Sequence, residues 1–127
     1  MTKQDLAMRS GLELAFIGDA VYELFIREKL VEKSPSTVGV LQKNASAFAR
    51  ATKQAEIVKA LLPSFTAEEE DAFKRGRNAK SKSIPKNASP ADYAAATGLE
   101  SLIGYLHLTN SRERLQYILE EVYKYGV

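Results

Sequence analysis

Two acidic residues each sit in an apolar, helix-forming run that also carries glycine. Asp19 lies in Leu14-Ala15-Phe16-Ile17-Gly18-Asp19-Ala20-Val21, and Glu100 lies in Gly98-Leu99-Glu100-Ser101-Leu102-Ile103-Gly104. A carboxylate in such surroundings must be hydrogen-bonded, paired, protonated or bound to a metal. Taken alone, Asp19 leaves two readings open: a core aspartate tied to a backbone donor or an arginine, or a functional carboxylate. If the two helices pack together, Asp19 and Glu100 can converge. Two hard oxygen ligands with several retained waters suit Mg²⁺, which usually takes one or two protein carboxylates plus substrate phosphate oxygens. The chemistry that such a site supports is metal-assisted hydrolysis of a phosphodiester.

A counterpart for phosphate is visible in the charge pattern. Residues 74–87 hold Lys74, Arg75, Arg77, Lys80, Lys82 and Lys86 with no acidic residue, and subtracting these six from the net +2 leaves −4 on the rest. A local basic segment on a mildly acidic body points to a phosphate-bearing partner. The other reading is a solvated linker. Several chemistries drop out. There is no cysteine, hence no disulfide framework and no thiolate metal site. The single histidine, His107, sits between Leu106 and Leu108 near a predicted helix end, which reads as structural and excludes a multi-histidine zinc cluster. No Walker loop, Rossmann glycine pattern or internal repeat is present.

The elements that must position the two acids are helices. Ser10 and Glu13 form a capping box opening a long helix to Lys33, hydrophobic on almost every face from Leu14 to Ile26 and so predicted to run through the core. Gly18 costs such a helix roughly 1 kcal/mol against alanine, which predicts a close backbone approach there. Further helices are predicted over about Thr37–Ala49, with Val40, Leu41, Ala45 and Phe48 inward, and over about Lys53–Leu62, with Ile57, Val58, Leu61 and Leu62 inward. A Thr66–Glu69 capping box opens another over Ala67 to about Lys74. The basic segment follows as a loop or frayed helix end. Ser89-Pro90 then starts a helix to about Leu108 with Ala96, Leu99, Leu102, Ile103 and Leu106 in one stripe, and Ser111 starts the last. No segment alternates with period two. The fold class is therefore all-α, about six helices in a single domain, 1–127. Met1 to Arg9 lacks the apolar core of a signal peptide and no run is fit to span a membrane, so a cytoplasmic protein is expected.

These motifs carry a resemblance. Leu14 to Val21 is similar to the signature helix of the ribonuclease III family, L-E-F-L-G-D-A-V, and Gly98 to Gly104 resembles its second acidic motif, D-x-x-E-A-L-I-G. Lys74-Arg75-Gly76-Arg77-Asn78-Ala79-Lys80-Ser81 resembles the basic motif of the compact bacterial Mini-III branch. The resemblance covers nearly the whole chain, and three motifs in the right order make it specific. The resemblance implies that Asp19 and Glu100 are metal-binding carboxylates, and that Arg75, Arg77, Asn78, Lys80, Ser81, Lys82 and Lys86 form the RNA-contacting segment. Ala15 and Thr97 stand where the larger relatives carry acids, as expected of the Mini-III branch, and this halves the four-carboxylate cluster. No double-stranded-RNA-binding domain is expected.

What the resemblance implies is a Mg²⁺-dependent endoribonuclease on double-stranded RNA, maturing the ends of 23S ribosomal RNA from a precursor stem. It also implies an obligate homodimer with one cut per subunit, giving 5′-phosphate and 3′-hydroxyl ends. Ala15 and Thr97 keep a second reading open, a non-catalytic RNA-binding relative acting in ribosome assembly. A third reading is a helical adaptor whose basic loop docks an acidic protein.

Overall fold

Capping chemistry divides the described residues into seven α-helices: α1 (Lys3–Ala7), α2 (Gly11–Lys33), α3 (Val38–Ala49), α4 (Ala51–Leu61), α5 (Ala67–Arg77), α6 (Pro90–Leu108) and α7 (Arg112–Gly126), with a 3₁₀ turn at Leu62–Ser64. The computed structural model describes residues 1–33, 35–79 and 89–126, and no strand occurs among them. Ser10 Oγ accepts the Glu13 N–H at 3.1 Å, while the Ser10 N–H donates to the Glu13 carboxylate at 3.3 Å, closing the predicted box at the start of α2. Thr37, Thr66 and Ser89 each accept an amide of the following turn. Asn110 takes φ 56°, letting the Ser111 N–H return to the Leu106 carbonyl at 3.0 Å and the Asn110 N–H to that of His107 at 3.1 Å. This Schellman turn ends α6 and aims α7 back across the bundle.

The helix absent from the sequence reading is α1. Thr2 and Asp5 cap it reciprocally, but Leu6 is its single buried residue, too little to make a periodic signal. Helix α5 runs past Lys74 to Arg77, so Arg75 and Arg77 are helical rather than in a loop. Val40 and Leu62, predicted inward, are exposed. Phe48 is the one fully buried residue of α3, so its first turns stand open to solvent, and Leu62 has left α4 for the 3₁₀ turn.

The axis of the core is α6 rather than α2. From Ala96 to Leu106 all residues except Glu100 are buried, and α2, α4, α5 and α7 all pack against this helix. Each fully buried aliphatic side chain there contributes on the order of 1.5–3 kcal/mol. Helix α2 lays Leu14, Gly18, Tyr22 and Ile26, spaced by four, against it and turns Phe16, Leu24 and Val31 outward, Phe16 being 81% exposed. The expectation that α2 is buried all round is corrected: hydrophobic on nearly every face, it is covered by its own chain on one. A partly buried ion pair ties α5 to α7. Arg114 grips the Glu69 carboxylate with two nitrogens at 2.5 and 2.9 Å and donates to the Ser64 carbonyl at 2.6 Å.

Candidate active site

The crossing of α2 and α6 is set by two glycines. A methyl group on Gly18 would overlap the Glu100 carbonyl, and one on Gly104 would overlap that of Leu14. The helices therefore run backbone against backbone, as the cost of Gly18 predicts. Asp19, the next residue, is thereby brought to Glu100, close enough for its carboxyl to raise the pKa of the other.

Their environments differ from the expectation. Asp19 is exposed, not embedded in apolar surroundings, because it lies at the edge of the one face that α2 buries. Glu100 is the partly buried member. Its carboxyl is pushed up to about 8, first by burial, then by the hydrogen bond and negative charge of Asp19, against a hydrogen bond from Gln54 that favours the anion. Glu100 therefore carries its proton at neutral pH.

Asp19 faces a cleft of about 410 Å³ between α2 and α3, whose walls include Glu23, Arg27, Gln42 and Ser46. Glu23, one turn beyond Asp19, is paired with Arg27 at 2.5 Å. Gln54 and Glu23 had no place in the sequence reading. Gln54 could have been found, since it occupies the first position of the stripe Gln54, Ile57, Val58, Leu61, where an apolar residue is expected. His107 is exposed in the last turn of α6, roughly two turns beyond Glu100.

A family model for the ribonuclease III domain matches residues 12–111. The chain belongs to the ribonuclease III family. It is 48% identical over 109 residues to a Mini-ribonuclease 3 of Symbiobacterium thermophilum, covering 86% of this chain and 84% of that one. It is 45% identical over 118 residues to one of Enterococcus faecalis, covering 91% and 89%. A Fusobacterium nucleatum protein solved by X-ray crystallography superposes with a TM-score of 0.86 at 32% identity, over 97% of this chain and 98% of that one.

Against the ribonuclease III signature, Ala15 and Thr97 supply no acid. Both are buried, and the Thr97 hydroxyl donates to the Tyr93 carbonyl at 2.9 Å, so its proton is already committed within α6. Among the described residues no group of three or more acids, histidines or cysteines converges to hold a metal. What the fold brings together is the Asp19–Glu100 pair. Its oxygens are hard, one acid opens on solvent, and a cation would take the place of the proton that Glu100 carries, all of which fits a divalent ion that keeps most of its waters.

The basic segment divides. Arg75 Nη2 donates to the Leu6 carbonyl at 2.8 Å and also to that of Arg9, so this guanidinium closes the end of α1. Arg77 is exposed, lies over the Phe73 ring at 5.6 Å and donates to the Asn78 side chain at 3.2 Å. Lys80, Ser81, Lys82 and Lys86 lie outside the described residues.

Proposed function

We propose that this protein is a Mg²⁺-dependent endoribonuclease that cuts double-stranded RNA. The observation that carries the reading is the pairing of Asp19 with Glu100 at the closest approach of α2 and α6. Family membership and relatives named Mini-ribonuclease 3 support it. Asp19 and Glu100 would hold the ion. When bound, Mg²⁺ lowers the pKa of a coordinated water and stabilises charge on the phosphate and the leaving oxygen.

The rest of the work falls to the chain. Glu100 gives up its proton to become an anionic ligand, which makes metal uptake release protons. Asp19, which lines the cleft and is exposed, is the acid open to an incoming phosphate. Arg77, Asn78, Lys80, Ser81, Lys82 and Lys86, with whatever donors Arg75 retains, would meet phosphates and 2′-hydroxyls across the minor groove. A-form RNA is recognised there mostly by shape. A homodimer would cut each strand once, leaving 5′-phosphate and 3′-hydroxyl ends, and the biological substrate would be a precursor stem of 23S ribosomal RNA in the cytoplasm.

The deciding experiment incubates the purified protein with an RNA duplex and Mg²⁺, with EDTA and Asp19→Asn controls. Cleavage that both controls abolish supports the reading. Duplex binding without cleavage would favour a non-catalytic RNA-binding relative, consistent with the missing acids at Ala15 and Thr97.

A further inference from the structure

Among the described residues that wall the cleft of Asp19, Arg27 is the one cation. It stands on α2 beside the acids Asp19 and Glu23, while α3 opposite contributes uncharged residues such as Gln42 and Ser46. One guanidinium nitrogen of Arg27 donates to the Glu23 carboxylate at 2.5 Å, and both side chains are more than half exposed. Three ion pairs of this i,i+4 spacing occur among the described residues, and only this one borders the cleft of Asp19. A pair so open to water adds little to stability. Its effect is geometric. Side chains on a helix lean towards the N-terminus. Glu23, one turn beyond Asp19, holds Arg27, two turns beyond, so the guanidinium is drawn back along α2 towards Asp19.

From this placement we infer that Arg27 is a phosphate contact of the RNA site: its guanidinium binds a backbone phosphate neighbouring the one that Asp19 and Glu100 serve, on the strand that enters along α2. The inference rests on the reading of that pair as the site of cleavage. The charge balance of the cleft calls for such a group. Asp19 and Glu23 on its walls repel a polyanion, and no other cation answers them among the described lining residues. A metal ion at Asp19 serves the scissile phosphate but not its neighbours, since salt screens exposed charges beyond about 8 Å. Arginine suits the task. Its planar fork carries five N–H donors and matches the oxygens of a phosphate, and the bond to Glu23 uses one of its three nitrogens. Residue 27 is also about 12 Å along the helix from Asp19, at 1.5 Å per residue. That is too far to act on the bond being cut, so its work is binding.

The test measures binding of an RNA duplex with Mg²⁺ at several salt concentrations. Arg27→Gln, Arg27→Lys and Glu23→Gln are each combined with Asp19→Asn, so that nothing is cut, and compared with Asp19→Asn alone. Both side chains are exposed, so neither change threatens the fold. Arg27→Gln is expected to weaken binding about tenfold at low salt, as the loss of a hydrogen bond to a charged group does. Its log–log salt slope should fall by somewhat under one unit, about 0.9 per phosphate for a B-form duplex. Arg27→Lys keeps the charge and should keep the slope. Glu23→Gln breaks the same ion pair but leaves an oxygen to hold the guanidinium, and it is expected to bind no more weakly, with the slope unchanged. This contrast separates a phosphate contact from a structural ion pair, whose loss would count the same from either side. With Asp19 restored, Arg27→Gln should raise KM by about the same tenfold and lower the saturated rate far less. Duplexes carrying single neutral methylphosphonate linkages beside the cut locate the contact: at one linkage Asp19→Asn should lose affinity and its Arg27→Gln derivative should lose no more. The inference is overturned, and the site reading left standing, if Asp19→Asn is inactive and binds duplex while adding Arg27→Gln changes neither affinity nor slope. An Asp19→Asn protein that still cleaves, or a parent that binds no duplex, would remove the site reading itself, and the inference with it.

Discussion

The backbone of Gly18 lies directly on the backbone of Glu100, with no room for a side chain between α2 and α6. This one approach thus sets the packing of the two most heavily engaged helices and the meeting of the two acids. Gly18→Ala must push the helices apart, since the atom in its way is backbone and cannot turn aside. Overpacking of this kind costs typically 1–3 kcal/mol, and the upper end is expected here. Urea denaturation should show the loss, and cleavage should fall further than stability does, because Asp19 moves away from Glu100.

Asp19→Asn and Glu100→Gln are each expected to abolish cleavage while leaving the fold and duplex binding intact. An amide keeps the shape but supplies no anionic ligand. Groups acting as one unit are grossly non-additive, so the double variant should be scarcely worse than either single. Single-turnover cleavage assays, with circular dichroism as the control for folding, measure this. Near-parent cleavage by Asp19→Asn would exclude the assigned role.

Glu100 also makes stability depend on pH. Its carboxyl titrates near 4.5 when unperturbed and is pushed up to about 8 in the folded protein. Between these values the folded state binds more protons than the unfolded one, so stability falls as pH rises. The contribution is complete below about pH 4.5 and gone above about pH 8. Glu100→Gln stays neutral and loses this slope. At pH 8 in EDTA it is expected to be more stable than the parent by about 2 kcal/mol, allowing for solvent around a partly exposed carboxyl. Denaturation at several pH values tests it; parallel stability profiles for parent and variant would contradict the assignment.

How much of this was legible in the sequence depended on the kind of signal. Capping pairs are local, so Ser10–Glu13, Thr66–Glu69 and Ser89-Pro90 marked helix starts to within a residue. The pairing of Asp19 with Glu100 could be anticipated because each lies in a helix carrying a costly glycine close by, Gly18 next to Asp19 and Gly98 two residues before Glu100. Which of the two is buried could not, since that depends on which face of α2 meets α6, and a helix apolar nearly all round does not declare its face. Gln54 went unseen for a related reason: its influence is on the Glu100 carboxyl, distant in the chain. Arg75 belonged to a basic run by composition, and only the fold directs its side chain to the carbonyls closing α1.

The basic segment should separate by variant. Arg75→Ala is expected to lower stability by roughly 1–3 kcal/mol, because it leaves two carbonyls without a charged donor, and to affect RNA affinity mainly through the fold. Replacing Lys80 and Lys82 with alanine should leave stability unchanged, weaken duplex binding and flatten its salt dependence. For every phosphate that loses its lysine, the log–log slope should fall by somewhat under one unit, about 0.9 for a B-form duplex. Binding isotherms at several salt concentrations measure it. An unchanged slope would make this stretch a solvated linker.

The apolar residues that α2 turns away from its own core bear on assembly. Leu12, Phe16 and Ile17 line a depression of about 490 Å³ with Met1 and Leu108, and Phe16 is 81% exposed. A large aromatic standing in water beside other apolar groups is the composition of a surface that is covered in the working protein. In the homodimer proposed above, a two-fold axis beside α2 would set each Phe16 against the other copy's matching surface, since an isologous contact uses the same patch twice. Folding stability should then rise with protein concentration. Phe16→Glu would place two like charges near the axis, and it is expected to yield monomers in sedimentation at micromolar concentration, with cleavage reduced accordingly. A parent protein that sediments as an active monomer there would rule the dimer out. The stricter check is a mixed dimer with Asp19→Asn in one subunit. It retains one complete Asp19–Glu100 pair, so it should nick one strand of a duplex and leave the other whole; cleavage of both strands would mean that the two sites do not divide the work.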